Sequence, residues 1–301
     1  MEILIPKKNV VMDATLLTAV MNCGQYLDLR FNHNWIPMSG KGNPLDAGVL
    51  VHLILQEYNL ALINGQNRIM AINTGMEAGH KYYTTESTNI PTENVKDDRG
   101  KLKEVGYNYI IQTMEQYFER WKNNSWTPLT AERVKGLIAY EDDEIRVLYK
   151  AKLDLTVDTH NFGISSVDYK TMKQRRATLS LNNQFRGQCL VAGTQTVFIE
   201  KIGWQQTLTP EEKFTREPIN YSKEILIEQM SIIGYYAKIL AQWQEQKYYP
   251  FNFTFCDKWN GCIFRRVCEA NPSDRQRVLL ESFIVGEEWN PGNDDDDSTT
   301  D

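Results

Sequence analysis

The chain has 301 residues, 42% of them hydrophobic and 24% charged, with a net charge of −6, a composition ordinary for a soluble globular protein and long enough for one large domain or a core with a helical lobe. No run of about 18 apolar residues occurs, which excludes a membrane-spanning helix. The opening MEILIPKKNVVMDATLL lacks the basic-then-apolar layout of a secretory signal, so a cytoplasmic location and no membrane partner are expected.

A helix is expected over residues 13–33, opening at Asp13 as N-cap, with Leu16, Leu17, Val20, Leu27 and Leu29 apolar. A Gly/Pro-bearing loop from Met38 to Pro44 leads to a second helix, Leu45 to Asn64, whose Val49, Leu50, Leu53, Ile54 and Leu60 keep helical spacing. Residues 73–102 are polar and glycine-rich and read as a loop or flexible insertion, and Tyr107 to Trp121 reads as helix again. From Val134 the period changes. Residues 134–140 and 145–157 alternate as strands, and a turn at His160–Gly163 leads into a third strand, 162–170. Helix 179–192, strand 196–204 and a long helix 221–245 follow. This order predicts an α/β fold, with a central mixed β-sheet flanked by helices and with N- and C-terminal helical additions.

The negative charge is concentrated at one end. Residues 281–301 hold eight acidic residues and no Lys or Arg; setting them aside leaves 33 basic residues against 31 acidic. Residues 290–301 read as a disordered acidic tail. Two basic clusters, Lys170, Lys173, Arg175 and Arg176, and Arg265, Arg266, Arg275 and Arg277, can present a local field to phosphates although the whole chain is acidic. Of the five cysteines, Cys256, Cys262 and Cys268 fall within thirteen residues, a density that in a chain without a signal peptide points to a thiophilic metal or cluster. Cys189 reads as a small core residue.

The catalytic candidates lie on the predicted strands. In Val167-Asp168-Tyr169-Lys170-Thr171, Asp168 and Lys170 share one face and Tyr169 takes the other. Asp154 ends the run Ala151-Lys152-Leu153-Asp154 one strand earlier, and pairing through the turn brings the two carboxylates to the same end of the sheet. Converging carboxylates suit Mg²⁺ or Mn²⁺, and an adjacent lysine can orient or deprotonate a water.

These motifs resemble the RecB-like branch of the PD-(D/E)XK nucleases, over about residues 13–268. Residues 151–154 are similar to the family's G-x-x-D strand, with Ala151 in place of glycine, and residues 167–171 resemble its D-Y-K-T signature. Gly48-Val49-Leu50-Val51-His52 resembles the helical motif that supplies a metal-ligating histidine. The resemblance implies a metal set of His52, Asp154 and Asp168, and catalytic roles for Asp154, Asp168, Lys170, Glu132 and Gln188. Ala192 stands where the tyrosine following the motif glutamine is usual, and Gln184 is a second candidate for that glutamine. The split of Cys23 from Cys256, Cys262 and Cys268 resembles the iron–sulfur staple of AddB-type and CRISPR-associated relatives, which implies a [4Fe–4S] cluster, with Zn²⁺ as the alternative. A single nuclease domain over 1–289 is therefore expected, with a helical region over 1–125, a catalytic core over 126–205, and a C-terminal helix with the cysteine cluster over 206–289. Its expected activity is Mg²⁺- or Mn²⁺-dependent exonucleolytic cleavage in DNA recombination, repair or phage DNA processing. The implied partner is single- or double-stranded DNA, contacted by Lys173, Arg175, Arg176 and Arg186, in a monomer or an oligomer. The competing expectation is a non-catalytic DNA-binding or scaffold protein on the same fold.

Overall fold

A computed structural model describes residues 7–38, 43–86, 89–172, 180–257 and 261–290. In chain order the elements are β1 (Lys8–Met12), α1 (Ala14–Asn22), α2 (Gly24–Leu27), β2 (Trp35–Pro37), α3 (Asn43–Ile63), α4 (Arg68–Thr85), β3 (Val95–Lys96), β4 (Leu102–Glu104), α5 (Tyr107–Arg120), β5 (Thr127–Glu141), β6 (Ile145–Asp158), β7 (Ile164–Met172), α6 (Asn183–Ala192), β8 (Thr196–Gly203), α7 (Pro210–Lys213), β9 (Phe214–Asn220), α8 (Lys223–Gln246), α9 (Arg265–Glu269), α10 (Arg275–Ser282) and β10 (Phe283–Val285). The fold class is the expected α/β, with a central mixed sheet of six strands. The chain divides into two compact units. Segments 1–40, 134–151 and 223–301 contribute to the first, and segments 41–133 and 152–222 to the second.

In the first unit β1 runs parallel to the opening half of β6, with Lys8 opposite Ile145 and Met12 opposite Tyr149. Asp13 caps α1, its carboxylate accepting from Leu16 N at 2.7 Å. The helix expected over 13–33 is interrupted: Cys23 is extended, at φ −164° and ψ 121°, between α1 and α2. The reason lies at Gly24, where a Cβ would meet the Pro250 ring at 2.7 Å, while Gln25 N donates to Pro250 O. A continuous helix cannot make that approach. A smaller core of Leu29, Phe264, Val267, Leu279 and Phe283 joins α9, α10 and β10 to the turn after α2.

The second unit holds the larger core. The closing half of β6 pairs antiparallel with β7, with Leu155 opposite Val167. Strand β7 runs parallel to β8, the two joined by the α6 crossover, and β8 pairs antiparallel with β9. Every residue of β8 is buried, as a central strand covered on both faces requires. Leu155, Val157, Val167, Tyr169, Phe198, Ile202 and Phe214 present one face to α3 and α5. The region expected as loop over 73–102 opens as helix, α4 running on through Thr85. Its Ala71, Gly75 and Gly79 recur every four residues and are buried. A Cβ on Gly75 would stand 2.5 Å from Ile54 O, and one on Gly79 2.6 Å from the Ile54 side chain. These glycines form a close-packing stripe against α3 rather than breaking the helix, and Asn67 caps its start by accepting from Met70 N at 3.0 Å. Strand β9 carries no clear strand pattern, being polar and containing Pro218. That proline is tolerated where a neighbour is needed on one side only.

Candidate active site

The acidic and basic candidates of the core all sit in the second unit. The β6–β7 turn sets their register. Thr159 Oγ1 accepts from Phe162 N and donates to Gly163 O, each at 3.0 Å. Gly163 takes φ +66°, a conformation that costs glycine nothing. Running back from this turn, the pairing brings Asp154 up to the Asp168–Tyr169 peptide, and Tyr169 N donates to Asp154 Oδ2 at 2.8 Å. Asp168 and Lys170 share a face as alternation requires, with Lys170 Nζ 2.7 Å from Asp168 Oδ2. Tyr169 points to the opposite face, where its hydroxyl accepts from Asn59 Nδ2 at 3.1 Å.

Helix α3 adds the imidazole. Gly48 allows it to approach β7, since a Cβ there would stand 3.3 Å from Thr171 Oγ1. One turn later, His52 Nδ1 lies 3.6 Å from Asp154 Oδ2. Strand β5 adds Glu132, which holds φ +50°, a left-handed conformation that costs a non-glycine residue about 1–3 kcal/mol and marks functional sites. With that turn, the ligand atoms of His52, Glu132 and Asp154 come within 4.8 Å of one another. Lys152 Nζ pairs with Glu132 Oε2 at 2.9 Å.

The electrostatics suit a cation. Burial, reinforced by Asp168, raises the Asp154 carboxyl well above the usual carboxylate range. Burial lowers the His52 pKa, against an opposing pull from Glu132 and Asp168, so its imidazole is held neutral, the form in which it can ligate. Two carboxylates and a neutral imidazole fit Mg²⁺ or Mn²⁺ by donor type. Asp168 is not in that trio. Its Oδ1 accepts from Gln184 Nε2 at 2.9 Å and Gln188 Nε2 at 2.8 Å, while Lys170 faces Oδ2. Both glutamines are thus one turn apart on α6 and converge on one carboxylate atom. Asn59 and Lys152 were missed in the sequence. The only available signal for Asn59 was its place seven residues, two helical turns, beyond His52 on the same face.

Of the residues expected to contact DNA, Lys173, Arg175 and Arg176 lie outside the described residues, as does the tail from 291. The Arg186 guanidinium lies over the Tyr221 ring, 5.9 Å from its centroid. Cys23, Cys256, Cys262 and Cys268 all belong to the first unit. Among the described residues no three of their sulfurs come within 4.8 Å of one another. The Cys268 thiol is nonetheless pushed up to about 11, by burial first and then by Cys262, Cys23 and Cys256. Cys189 is buried in α6, its thiol also pushed up to about 11 by burial.

A family model described as the PD-(D/E)XK nuclease superfamily matches residues 24–269. No curated protein matches the chain. Among solved structures, a protein of Eubacterium rectale named as an exonuclease is 12% identical, with a TM-score of 0.43 over 82% of this chain and 86% of that one. LHK-Exo, solved in complex with dAMP, is 10% identical, with a TM-score of 0.30 over 66% and 95%. A phage-related exonuclease of Haemophilus somnus 129PT is 9% identical, with a TM-score of 0.28 over 65% and 94%.

Proposed function

The chain belongs to the PD-(D/E)XK nuclease superfamily, and we propose that it is a RecB-like deoxyribonuclease dependent on Mg²⁺ or Mn²⁺, acting as an exonuclease in recombination, repair or phage DNA processing. The observation that carries this reading is the convergence of His52, Glu132 and Asp154 beside the Asp168–Lys170 pair. His52, Glu132 and Asp154 would hold the cation, which supplies Lewis-acid stabilisation of charge developing on a scissile phosphate. Tyr169 N–H orients Asp154. Gln184 and Gln188 fix Asp168, which in turn aligns Lys170. In this reading the Lys170 ammonium, 2.7 Å from Asp168 Oδ2, would orient an attacking water and balance negative charge on the phosphate.

The test is cleavage of end-labelled single- and double-stranded DNA with Mg²⁺ or Mn²⁺, comparing wild type with Lys170→Ala and Asp154→Asn. We expect metal-dependent release of short products by wild type and a loss of at least about 100-fold in either variant. DNA left intact by wild type under both metals, but still bound, would instead identify a non-catalytic DNA-binding protein.

For the cysteines we propose a [4Fe–4S] cluster held by Cys23, Cys256, Cys262 and Cys268, with Zn²⁺ as the alternative. Two features support it: all four fall in one unit, and three of them act electrostatically on the fourth. A lone tetrahedral zinc would draw its thiolates to about 3.8 Å apart, from Zn–S bonds of about 2.3 Å; a cubane spreads them wider. Iron and zinc analysis of anaerobically purified protein decides between the two. Loss of the metal in Cys268→Ala is expected, and metal-free wild type would remove the idea.

A further inference from the structure

The segment Tyr248-Tyr249-Pro250-Phe251-Asn252-Phe253, in the first unit, has no role in the site above. Three of its aromatic rings face solvent: Tyr248 is 63% exposed, Phe251 36% and Phe253 74%. Exposed rings on a slack loop would mean little, but this loop is pinned. Pro250 packs against Gly24 and accepts from Gln25 N at 3.2 Å. Asn252 is extended, so its side chain is directed opposite to those of Phe251 and Phe253. Its Nδ2 donates to Asn22 O at 2.6 Å, and its Oδ1 accepts from Thr254 N at 3.2 Å and Thr254 Oγ1 at 2.7 Å.

The anchors leave the two phenyl rings stacked and nearly parallel, 5.8 Å between centroids and 10° between planes. Arg275 completes the surface, its guanidinium 5.3 Å from the Phe251 centroid. Arg275 donates to Ala270 O and Cys268 O and acts electrostatically on the Cys268 thiol; among the described residues no carboxylate forms an ion pair with it. Two neighbours of the same basic cluster differ: Arg265 is paired with Asp257 and Glu269, and Arg277 with Glu281.

Ordering rings as exposed as those of Phe253 and Tyr248 gains little for the fold. Parallel aromatic faces beside an arginine without a carboxylate partner match one ligand chemistry: planar bases on a phosphate backbone. A duplex cannot use such faces, because its bases already stack on one another and present only edges and phosphates. We propose that Phe251, Phe253 and Tyr248, with Arg275, form a stacking platform for unpaired nucleobases, so that the nuclease engages its substrate through a single-stranded segment. This rests on the nuclease reading for its purpose, though not for its geometry.

The test uses the full chain in EDTA, with fluorescence anisotropy of a labelled single-stranded DNA oligonucleotide and of a blunt duplex. Stacking on one aromatic is worth about 1–3 kcal/mol per base. Phe253→Ala should therefore weaken single-strand binding about 5- to 150-fold, leave duplex binding and the salt slope unchanged, and be rescued by Phe253→Trp. Its melting temperature should match wild type, because so exposed a ring packs against little. Unchanged single-strand affinity in Phe251→Ala/Phe253→Ala, or an equal loss on duplex, overturns the platform. So does self-association that Phe253→Ala abolishes, which would assign the rings to a second copy of the chain. The two readings fail separately. Platform-dependent binding without cleavage in Mn²⁺ sinks the nuclease and keeps the platform. Cleavage of single strands by the double variant at the wild-type rate and KM sinks the platform and keeps the nuclease.

Discussion

Glu200→Ala isolates a buried charge pair whose energy can be worked from its contacts. Glu200 is 1% exposed. Its Oε2 accepts from Arg216 Nε at 2.9 Å, and its Oε1 from Arg216 Nη2 at 3.1 Å and from Tyr117 OH at 2.8 Å. The guanidinium is sandwiched between Trp121 and Trp126, 3.8 and 3.9 Å from their centroids. Three bonds to a charged acceptor, at about 1.5–3 kcal/mol each, set a ceiling of roughly 9 kcal/mol. Two features lower it: a cavity of about 310 Å³ bordered by both residues can admit water, and the tryptophans still hold the cation. The remaining cost is that of a stranded buried charge, about 3–5 kcal/mol. With a urea m-value of about 3 kcal/mol/M, 4 kcal/mol lowers the midpoint by about 1.3 M. Tryptophan fluorescence reads it directly, since two of the indoles flank the arginine. Glu200→Ala/Arg216→Met removes the stranded charge and should recover at least about 2 kcal/mol. A drop below about 1 kcal/mol in the single variant, or strict additivity in the double, would refute the reasoning.

Three further outcomes are expected. Asn59→Leu strands the buried Tyr169 hydroxyl and should cost about 1–3 kcal/mol; Asn59→Leu/Tyr169→Phe should recover most of it, as urea midpoints will record. Gly75→Ala gains about 1 kcal/mol of helix propensity but drives a methyl to 2.5 Å from Ile54 O, an overpacking worth about 1–3 kcal/mol, so its melting temperature should fall. Lys213 donates to Thr113 Oγ1 and Gln116 Oε1, and burial lowers its pKa to about 8, against about 10.4 in the unfolded chain. Between those values the unfolded chain binds the more protons, so unfolding free energy rises with pH. Wild type should therefore gain on Lys213→Met as pH climbs from about 8 to 10; a constant gap would mean that Lys213 titrates normally.

The sequence disclosed what depends on alternation and fixed spacing. Asp168 and Lys170 share a face because β7 is a strand, and Asp154 joins them because a short turn fixes the register. What was illegible depends on partners remote in sequence. Gly75 and Gly79 look like breakers until Ile54 is set against them. Cys23 interrupts a helix because Pro250, more than two hundred residues later, packs on the next residue. The backbone of Glu132 is turned left-handed, which no propensity announces. Asn59 resembles any polar helix residue until Tyr169 is known to sit opposite it.

Neither compact unit is a continuous stretch of chain. The second is complete once Ser222 has been made, whereas the first needs segments from both termini. During synthesis from the N-terminus, the unit carrying the acidic site can therefore close while the first forty residues still await partners from Lys223 onward. Truncation before α8 would leave β1 its β6 neighbour but strip β1 and α1 of α8 and Cys23 of the other three thiols, so a cut at that point spares the second unit and leaves the first unfinished.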